Sequence, residues 1–344
     1  MVDKNYCMSS FLIYRYVFNK SISFRDDLRC SVVNLDFERT PVNNADDLIF
    51  AMKVTIEDAA KKGKIALALS GGIDSAILAR LVPEGTKAYT FRCIVPGKMV
   101  IDESNQAIEW ARINKLDHEI IDIYWGDIDA VVDKLMLHKG APIHSIEAQI
   151  YIAALKAKEA GIAQFIFGEN ADIIYGGMNG LLAKDWYYSE FVDRYMYVKP
   201  YDVLYNPVMV LDGFIKYEND GHIDGHEFIN EYFRQEALGT YTNACSTAGV
   251  EFVGPYSLTY LNQPIDYSRI RGGDTKYIVR EAFVKLYPGQ SIPDKIPMPR
   301  PVNEWFEKWD GPKRKEFIPH CTDNMEGNQK WMVWALERFL NVIE

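Results

Sequence analysis

Residues 64–75 read Lys64-Ile-Ala-Leu-Ala-Leu-Ser-Gly-Gly-Ile-Asp-Ser75, an apolar run followed by two glycines. The unbroken apolar run over residues 65–69 is typical of a strand that is buried on both faces of a parallel sheet. Gly71 and Gly72 allow the backbone to turn sharply, and apolar residues recur at helical spacing over residues 73–81. The stretch therefore predicts a central strand, a tight loop and the first turns of a helix.

The predicted loop leads into a helix N-terminus, where unpaired N–H groups and the positive end of the helix dipole favour a phosphate or pyrophosphate. A Walker A loop needs a Lys-Ser or Lys-Thr pair after its second glycine, and a dinucleotide-binding loop needs a third, spaced glycine. Neither feature is present. A structural Gly-Gly turn between two core elements is the alternative, which the buried strand before the loop and the Asp74-Ser75 pair after it disfavour.

Strand and helix patterns alternate after the loop. Residues 86–92, 119–123 and 164–167 are predicted strands, and residues 104–114 and 146–161 are predicted helices. This alternation predicts an α/β fold with a doubly wound parallel sheet, which binds its ligands at the carboxyl ends of the strands.

The N-terminal region has a different pattern. Residues 1–45 are predicted to form a small β-rich segment of two or three strands, with candidates over residues 10–18 and near 32–35. A domain of residues 46–344 follows, and it begins with a predicted helix over residues 48–61.

The C-terminal part is predicted to be mostly helical. Aromatic residues crowd the region from 178 to 249, where we expect a helical second layer whose rings serve packing more than ligand binding. Helices are also predicted over residues 274–286 and 329–340, with a proline-rich loop at 288–301.

Composition excludes several classes of protein. The net charge of −10 over 344 residues argues against a broad nucleic-acid surface, which needs clustered Lys and Arg. The five cysteines form no CxxC pair or zinc-type spacing, so we expect reduced cysteines that mostly serve packing. No stretch is long and apolar enough for a membrane span, and the N-terminus lacks a signal-peptide pattern. These features favour a cytoplasmic protein.

Two aspartates are candidate metal ligands. Asp74 and Asp172 each lie just past the end of a predicted parallel strand, so they are expected to converge on one crevice. A bound nucleotide triphosphate keeps charge that a divalent cation neutralises, and Mg2+ prefers carboxylate oxygens. Helix capping is the alternative role for either aspartate.

Several spaced motifs resemble a known family. Ser70-Gly-Gly-Ile-Asp-Ser75 resembles the PP-loop of the ATP pyrophosphatases, whose members cleave ATP between the α and β phosphates. Together with Val100-Ile-Asp-Glu-Ser104, Gly168-Glu-Asn-Ala-Asp-Ile-Ile-Tyr-Gly-Gly177 and Lys276-Tyr-Ile-Val-Arg-Glu281, it resembles the synthetase domain of the asparagine synthetase family. The resemblance spans residues 45–300 and implies a PP-loop (HUP-like) sheet, ATP and Mg2+. It also implies that ATP adenylates a carboxylate, after which an amine displaces AMP.

The resemblance also assigns roles to residues. It implies magnesium binding by Asp74 and Asp172, placement or deprotonation of the amine by Glu169, and charge stabilisation by Lys276. The residues that it implies for ATP binding are Leu67, Ser70, Gly71, Gly72, Asp74, Ser75, Arg92, Gly168 and Lys295. Arg280, one turn after Lys276, is either a second cation of the site or a surface ion-pair partner.

The chain departs from the family pattern at several positions. Asn170 replaces the second glycine and Ile173 the second acid of the usual Gly-Glu-Gly-Ala-Asp-Glu motif, so the substrate pocket is predicted to differ. The family's glutaminase half begins with a nucleophilic cysteine after Met1, whereas here Val2 follows Met1 and Cys7 is internal. We therefore expect residues 1–45 to be a remnant of that module without glutaminase activity. Ammonia or an organic amine is then the expected nucleophile, either free or supplied by a separate partner protein.

Two other functions are compatible with a PP-loop. One is a tRNA-modifying or sulfur-transfer enzyme, which the absence of zinc-type cysteines and of a basic RNA-binding region disfavours. The other is a non-catalytic nucleotide-binding partner protein, which would have no chemical need for Glu169 and Lys276.

Overall fold

The computed structural model describes residues 1–31, 33–294 and 298–344. The strands are β1 (Thr40–Val42), β2 (Ile65–Ala68), β3 (Lys87–Ile94), β4 (Asp117–Tyr124), β5 (Gln164–Ile166), β6 (Glu218–Asn219), β7 (His222–Ile223), β8 (Glu251–Val253) and β9 (Thr259–Leu261). The helices are α1 (Lys4–Tyr14), α2 (Ala45–Lys62), α3 (Ile73–Leu81), α4 (Ser104–Ile113), α5 (Trp125–Lys139), α6 (Glu147–Glu159), α7 (Ala171–Ile174), α8 (Tyr188–Tyr195), α9 (Pro200–Val203), α10 (Asp212–Ile215), α11 (Gly225–Phe228), α12 (Arg234–Ala248), α13 (Tyr267–Arg271), α14 (Tyr277–Leu286), α15 (Val302–Trp305) and α16 (Gly327–Ile343).

The centre of the fold is a five-stranded parallel sheet with the order β4-β3-β2-β5-β8. The strand that precedes the glycine loop, β2, is central, and the order reverses there because β3 lies on one side of it and β5 on the other. Such a reversal opens a crevice at the carboxyl ends of the two strands. The expected doubly wound α/β architecture is therefore confirmed.

Side chains of β2 alternate between two hydrophobic cores, as expected for a strand with helices on both faces. Leu67 lies in a core with α2, α3 and α14. Ala66 and Ala68 lie in a second core with α5, α6 and α16. Both cores are needed to bury β2, which explains why its sequence is continuously apolar.

The expectation of strands near the N-terminus is wrong for residues 10–18. This region lies in and just after α1, which begins after the N-cap Asp3 and ends at Arg15, a residue with φ of 65°. The helix is apolar on most sides because Leu12 packs into the sheet core while Tyr14 packs into a third, aromatic core. A helix buried on opposite sides has no amphipathic period, and its short apolar run resembles a strand.

The second predicted N-terminal strand, near residues 32–35, is not formed over 33–35, and Val32 lies outside the described residues. Among the described residues the first strand is instead β1, which pairs in parallel with β9. Sequence patterns also missed the helix α5 and the edge strand β8. Ile108 on α4 is 44% exposed, although it is an apolar residue within a predicted helix.

The aromatic-rich region forms the third core. The segment contains the helices α8 to α12 and one short β6–β7 hairpin, so the expected helical layer is confirmed. Rings such as Phe191 and Tyr195 are fully or almost fully buried, whereas Tyr187 and Tyr205 are exposed. No helix of the described residues has the length and apolar character needed to cross a membrane.

Candidate functional site

The glycine loop between β2 and α3 is held in shape by two serines. Ser75 Oγ accepts a hydrogen bond from the backbone N–H of Ser70 at 3.0 Å, and Ser70 Oγ accepts one from the N–H of Gly72 at 3.2 Å. Neither glycine has the positive φ that would require glycine for a turn. Gly71 is instead needed for close packing, because an added Cβ would lie 3.2 Å from the Cβ of Glu103.

Glu103 is a buried acid that contacts this loop. Its Oε2 accepts a hydrogen bond from the backbone N–H of Gly71 at 3.0 Å. Burial raises the pKa of Glu103 to about 7, against the opposing effect of the Gly71 hydrogen bond. The sequence motif 100–104 included this residue, but only the fold shows that its carboxyl group reaches the loop.

Asp74, Asp172 and Lys276 meet beside the loop. Nζ of Lys276 lies 2.7 and 2.6 Å from the two carboxylate oxygens of Asp74 and 3.2 Å from Oδ1 of Asp172. Burial alone would lower the Lys276 pKa, but the charges of Asp74 and Asp172 outweigh it and raise that pKa above its ordinary value. Lys276 is therefore an ammonium ion that bridges the two predicted magnesium ligands.

Glycines allow this cluster to form. An added Cβ at Gly177 would lie 2.0 Å from Oδ1 of Asp172. At Gly168 it would lie 3.1 Å from the Ser75 nitrogen, so the end of β5 packs directly against the glycine loop and the start of α3. The glycines of the 168–177 motif thus bring β5 and its following turn against α3.

Glu169 faces the same space, and Tyr241 on α12 contacts it. Burial raises the pKa of Glu169 to about 7, opposed by a hydrogen bond that the Tyr241 hydroxyl donates to it. Tyr241 was not predicted from the sequence. Its only sequence signal is helical spacing with the buried Ala237 and Ala244, which indicates an inward-facing position without indicating a partner.

These groups line a cleft of about 570 Å³ at the carboxyl ends of β2 and β5. The predicted residues that line it are Ser70, Gly72, Asp74, Ser75, Gly168, Glu169, Asp172 and Lys276. Arg280 also lines the cleft, as expected for a second cation of the site. Its Nε atom is also 3.9 Å from Oδ1 of Asp274, as expected for an ion-pair partner. Predicted residues from three separate motifs, 70–75, 168–177 and 276–281, thus line one continuous surface.

Three other predicted residues do not line the cleft, and Lys295 lies outside the described residues. Leu67 is fully buried in a hydrophobic core. Gly71 lies in the glycine loop, where its backbone N–H donates to Glu103. Arg92 on β3 donates to Asp122 at 2.7 Å.

The two departures from the family motif have structural explanations. Asn170 has φ of 71°, a left-handed conformation that Gly adopts freely and Asn tolerates, and its side chain donates to Ser257 Oγ at 2.7 Å. Ile173 is buried in the aromatic core. Neither side chain lines the cleft.

The carboxylate arrangement fits one kind of metal binding. The described residues contain no cluster of three or more His, Cys, Asp or Glu side chains suited to a metal ion. Mg2+ commonly uses one or two carboxylates and completes its coordination with water and substrate phosphates. Asp74 and Asp172 beside the glycine loop match this arrangement with two carboxylates.

Comparison with known proteins agrees with this geometry. Residues 57–239 match the family model described as asparagine synthase. No curated protein matches the chain in sequence. The matched region extends from α2 into α12, so it contains the glycine loop and the 168–177 motif and covers more than half of the 344 residues. The chain belongs to the asparagine synthase family of ATP-dependent synthetases of the amidoligase type.

Proposed function

We propose that this protein is a carbon–nitrogen ligase that uses ATP to adenylate a small carboxylic acid and then transfers the acyl group to an amine. The observation that carries the proposal is the meeting of Asp74, Asp172 and Lys276 beside the phosphate loop, where the strand order reverses. A cation and two carboxylates at a helix N-terminus are suited to a metal–triphosphate.

In the first step, a carboxylate oxygen of the acid attacks the α-phosphorus of ATP, and the bond to the bridging oxygen of pyrophosphate breaks. Backbone N–H groups of the loop over residues 70–75 bind the departing pyrophosphate. The Lys276 ammonium offsets the negative charge that builds on the phosphate oxygens. Asp74 and Asp172 are the residues that would hold Mg2+, which neutralises phosphate charge when bound.

In the second step, the amine nitrogen attacks the acyl carbon, and AMP leaves as the acyl–oxygen bond breaks. The nitrogen must lose a proton, and Glu169 is the nearby base that accepts it. A pKa of about 7 suits this role, because a carboxylate with that pKa is both partly ionised and basic at neutral pH. The Tyr241 hydroxyl orients the Glu169 carboxylate.

We propose that the amine does not come from glutamine hydrolysis by this chain. Cys7 is fully buried within α1, and burial raises the pKa of its thiol, so it does not supply a glutaminase nucleophile. Ammonia or an organic amine, free or delivered by a partner protein, is the proposed substrate. All five cysteines are unpaired, which supports a reducing location such as the cytoplasm.

Product analysis tests the proposal. With Mg2+, ATP, ammonia and a panel of small acids, the wild type should release AMP and pyrophosphate and should catalyse acid-dependent exchange between pyrophosphate and ATP. Formation of ADP and phosphate would contradict it. Asp74→Asn should abolish exchange, whereas Asp58→Asn, which changes an exposed aspartate on α2, should leave it unchanged. Equal exchange rates in the two variants would contradict the proposed role of Asp74.

A further inference from the structure

A cavity separate from the cleft lies where the segment after α1 meets the start of α12. It has a volume of about 540 Å³, and its lining includes Tyr16, Phe18, Arg39, Glu231, Arg234 and Gln235. We call it the Arg234 cavity. Among the described residues it shares no lining residue with the cleft, so a molecule bound in it is not one that reacts beside Lys276.

Arg234 is a buried cation without a hydrogen-bond acceptor. The residue is only 5% exposed, and its Nε and Nη1 atoms are buried without a partner among the described residues. Its guanidinium carbon lies 5.7 Å from the ring centroid of Phe37. An aromatic face stabilises a cation, but it does not replace the hydrogen-bond acceptors that water would provide. Arginine is rarely buried in this way unless it is paired with an anion.

A second arginine lines the same cavity. Arg39 is partly exposed, and its guanidinium carbon lies 5.5 Å from the ring centroid of Tyr260. Burial lowers the pKa of Arg234 to about 10, the charge of Arg39 contributes to this decrease, and the charge of Glu231 opposes it. Arg234 with this pKa is still a cation at neutral pH. Two neighbouring cations thus line one cavity, an arrangement that a bound anion would stabilise.

The acidic residues of the lining limit how much negative charge a ligand can carry. Asp36, Glu227 and Glu231 also line the cavity. Glu231 is already paired, because it accepts hydrogen bonds from Lys216 and from the Tyr217 hydroxyl. Asp36 and Glu227 are exposed to water. The lining therefore suits one anionic group at the arginines and disfavours a polyanion.

The backbone before Arg234 has an uncommon conformation. A π-helical turn over Ile229–Phe233 joins α11 to α12. Asn230 and Tyr232 of this turn line the cavity, and Arg234 follows the turn directly. Such turns are rare and are frequently located at functional sites. The turn thus agrees with the unpaired arginine in favouring a ligand site here.

We propose that the Arg234 cavity binds a small molecule through a carboxylate or phosphate group that accepts hydrogen bonds from Arg234. Guanidinium groups hold both kinds of oxyanion by charge-assisted hydrogen bonds. The rings of Tyr16 and Phe18 provide apolar surface for the rest of the molecule, and about 540 Å³ is within the range of small-molecule sites. The inference is independent of the proposed ligase reaction, because it concerns binding at a separate site.

Three compounds with the same ring serve as probes. Phenyl phosphate and benzoate carry the two kinds of anionic group, and benzamide is the uncharged counterpart of benzoate. Binding of each probe to the full chain is measured by proton NMR line broadening of the probe at constant ionic strength. The anion whose binding depends on Arg234 identifies the group that the cavity prefers.

Arg234→Met removes the charge while retaining a long side chain, and Arg234→Lys retains the charge. For the anion that the cavity binds, Arg234→Met should raise Kd by about tenfold, since a charge-assisted contact is lost. Arg234→Lys should recover part of the affinity, and benzamide should bind equally to Arg234→Met and to the wild type. Arg112→Met, which removes a 70% exposed arginine on α4, is the matched control.

Phenyl phosphate bound at the glycine loop would bind equally to Arg234→Met, so only the part of the binding that depends on Arg234 supports the inference. The inference is overturned if neither anion binds the wild type, or if Arg234→Met and Arg112→Met bind both anions equally. Absence of pyrophosphate exchange would contradict the proposed function without affecting these results.

A second variant decides the inference if Arg234→Met fails to fold. Arg39→Met changes a partly exposed position of the same cavity. It should raise the Kd of the same anion several-fold relative to Arg112→Met, because it removes the neighbouring cation. Equal affinities of these two variants for both anions would overturn the inference.

Discussion

The absence of a side chain at Gly177 leaves space for the Asp172 carboxylate. An added Cβ would lie 2.0 Å from Asp172 Oδ1 and 2.7 Å from Lys276 Cδ, so both groups would have to move. We expect Gly177→Ala to reduce pyrophosphate exchange by about 100-fold, the effect of roughly 1 Å of displacement at a reacting centre. Steady-state exchange rates check this. Gly180→Ala, where the nearest atom is 3.4 Å away, should behave like the wild type; similar losses in both variants would contradict the explanation.

Glu103 makes stability depend on pH. Burial raises its pKa from 4.5 to about 7, so the folded state holds this proton more tightly than the unfolded state does. Its contribution to the free energy of unfolding therefore falls by about 3 kcal/mol as pH rises from 4.5 through 7. Glu103→Gln has no such proton, and its amide oxygen can still accept from the Gly71 N–H. We expect the stability of the variant relative to the wild type to increase over this pH range.

Urea unfolding at pH 5 and pH 8 measures this difference. Glu109→Gln on the exposed face of α4 provides a control that should change little between the two pH values. If the free energy of unfolding changed equally between pH 5 and pH 8 in Glu103→Gln and in the wild type, Glu103 would not bind its proton more tightly in the folded state.

Positions just past predicted strand ends indicated Asp74 and Asp172, whereas Glu169 and Lys276 were indicated only by the resemblance of their motifs to a known family. The partners of these residues were not predictable in the same way. Tyr241 contacts Glu169 from a helix that begins 65 residues later, at Arg234, and no spacing rule connects the two. Contacts of this kind depend on how helices pack over the sheet, which a single sequence does not encode in a short pattern.

At the scale of elements, prediction worked where one periodicity dominates. The strand β2 and helix α2 have strong patterns, and α2 has an N-cap at Asn44 that accepts from two backbone N–H groups. Prediction was wrong for α1, because a helix packed between two cores loses its polar face. It missed β8, an edge strand of three residues.

The helix α12 carries Tyr241 and contains a glycine that no contact requires. No atom lies within 4 Å of a Cβ added at Gly239. Glycine in a helix interior costs about 0.5–1 kcal/mol relative to alanine, so Gly239→Ala should raise the free energy of unfolding by that amount. Gly249, which ends the same helix with φ of 78°, should respond oppositely to alanine, losing about 1 kcal/mol. Urea unfolding of both variants checks the pair, and a change of the same sign in both would contradict it.

At the scale of the whole molecule, the N-terminal residues and the sheet share a hydrophobic core. Cys7, Leu12 and Phe24 belong to the same core as Ala66 of β2 and Trp331 of α16. Polar contacts join the same parts, since Arg25 donates to the Ile343 carbonyl at 2.6 Å. The division of the chain at residue 45 stays a prediction, but these contacts favour a single cooperative unit whether or not the segment descends from a glutaminase module.

Leu12 tests whether that core unfolds as one unit. It is fully buried in α1, so Leu12→Ala should lower the free energy of unfolding by about 2–5 kcal/mol. If the N-terminal residues and the sheet unfold together, the amides of β2 and β3 exchange with solvent only through global unfolding. Their hydrogen-exchange rates should then rise by the factor that corresponds to the free energy of unfolding lost in Leu12→Ala. Ile108→Ala at an exposed site should change stability by less than about 0.5 kcal/mol. Unchanged protection of β2 and β3 in Leu12→Ala, alongside lost protection of α1, would instead establish a separate N-terminal unit.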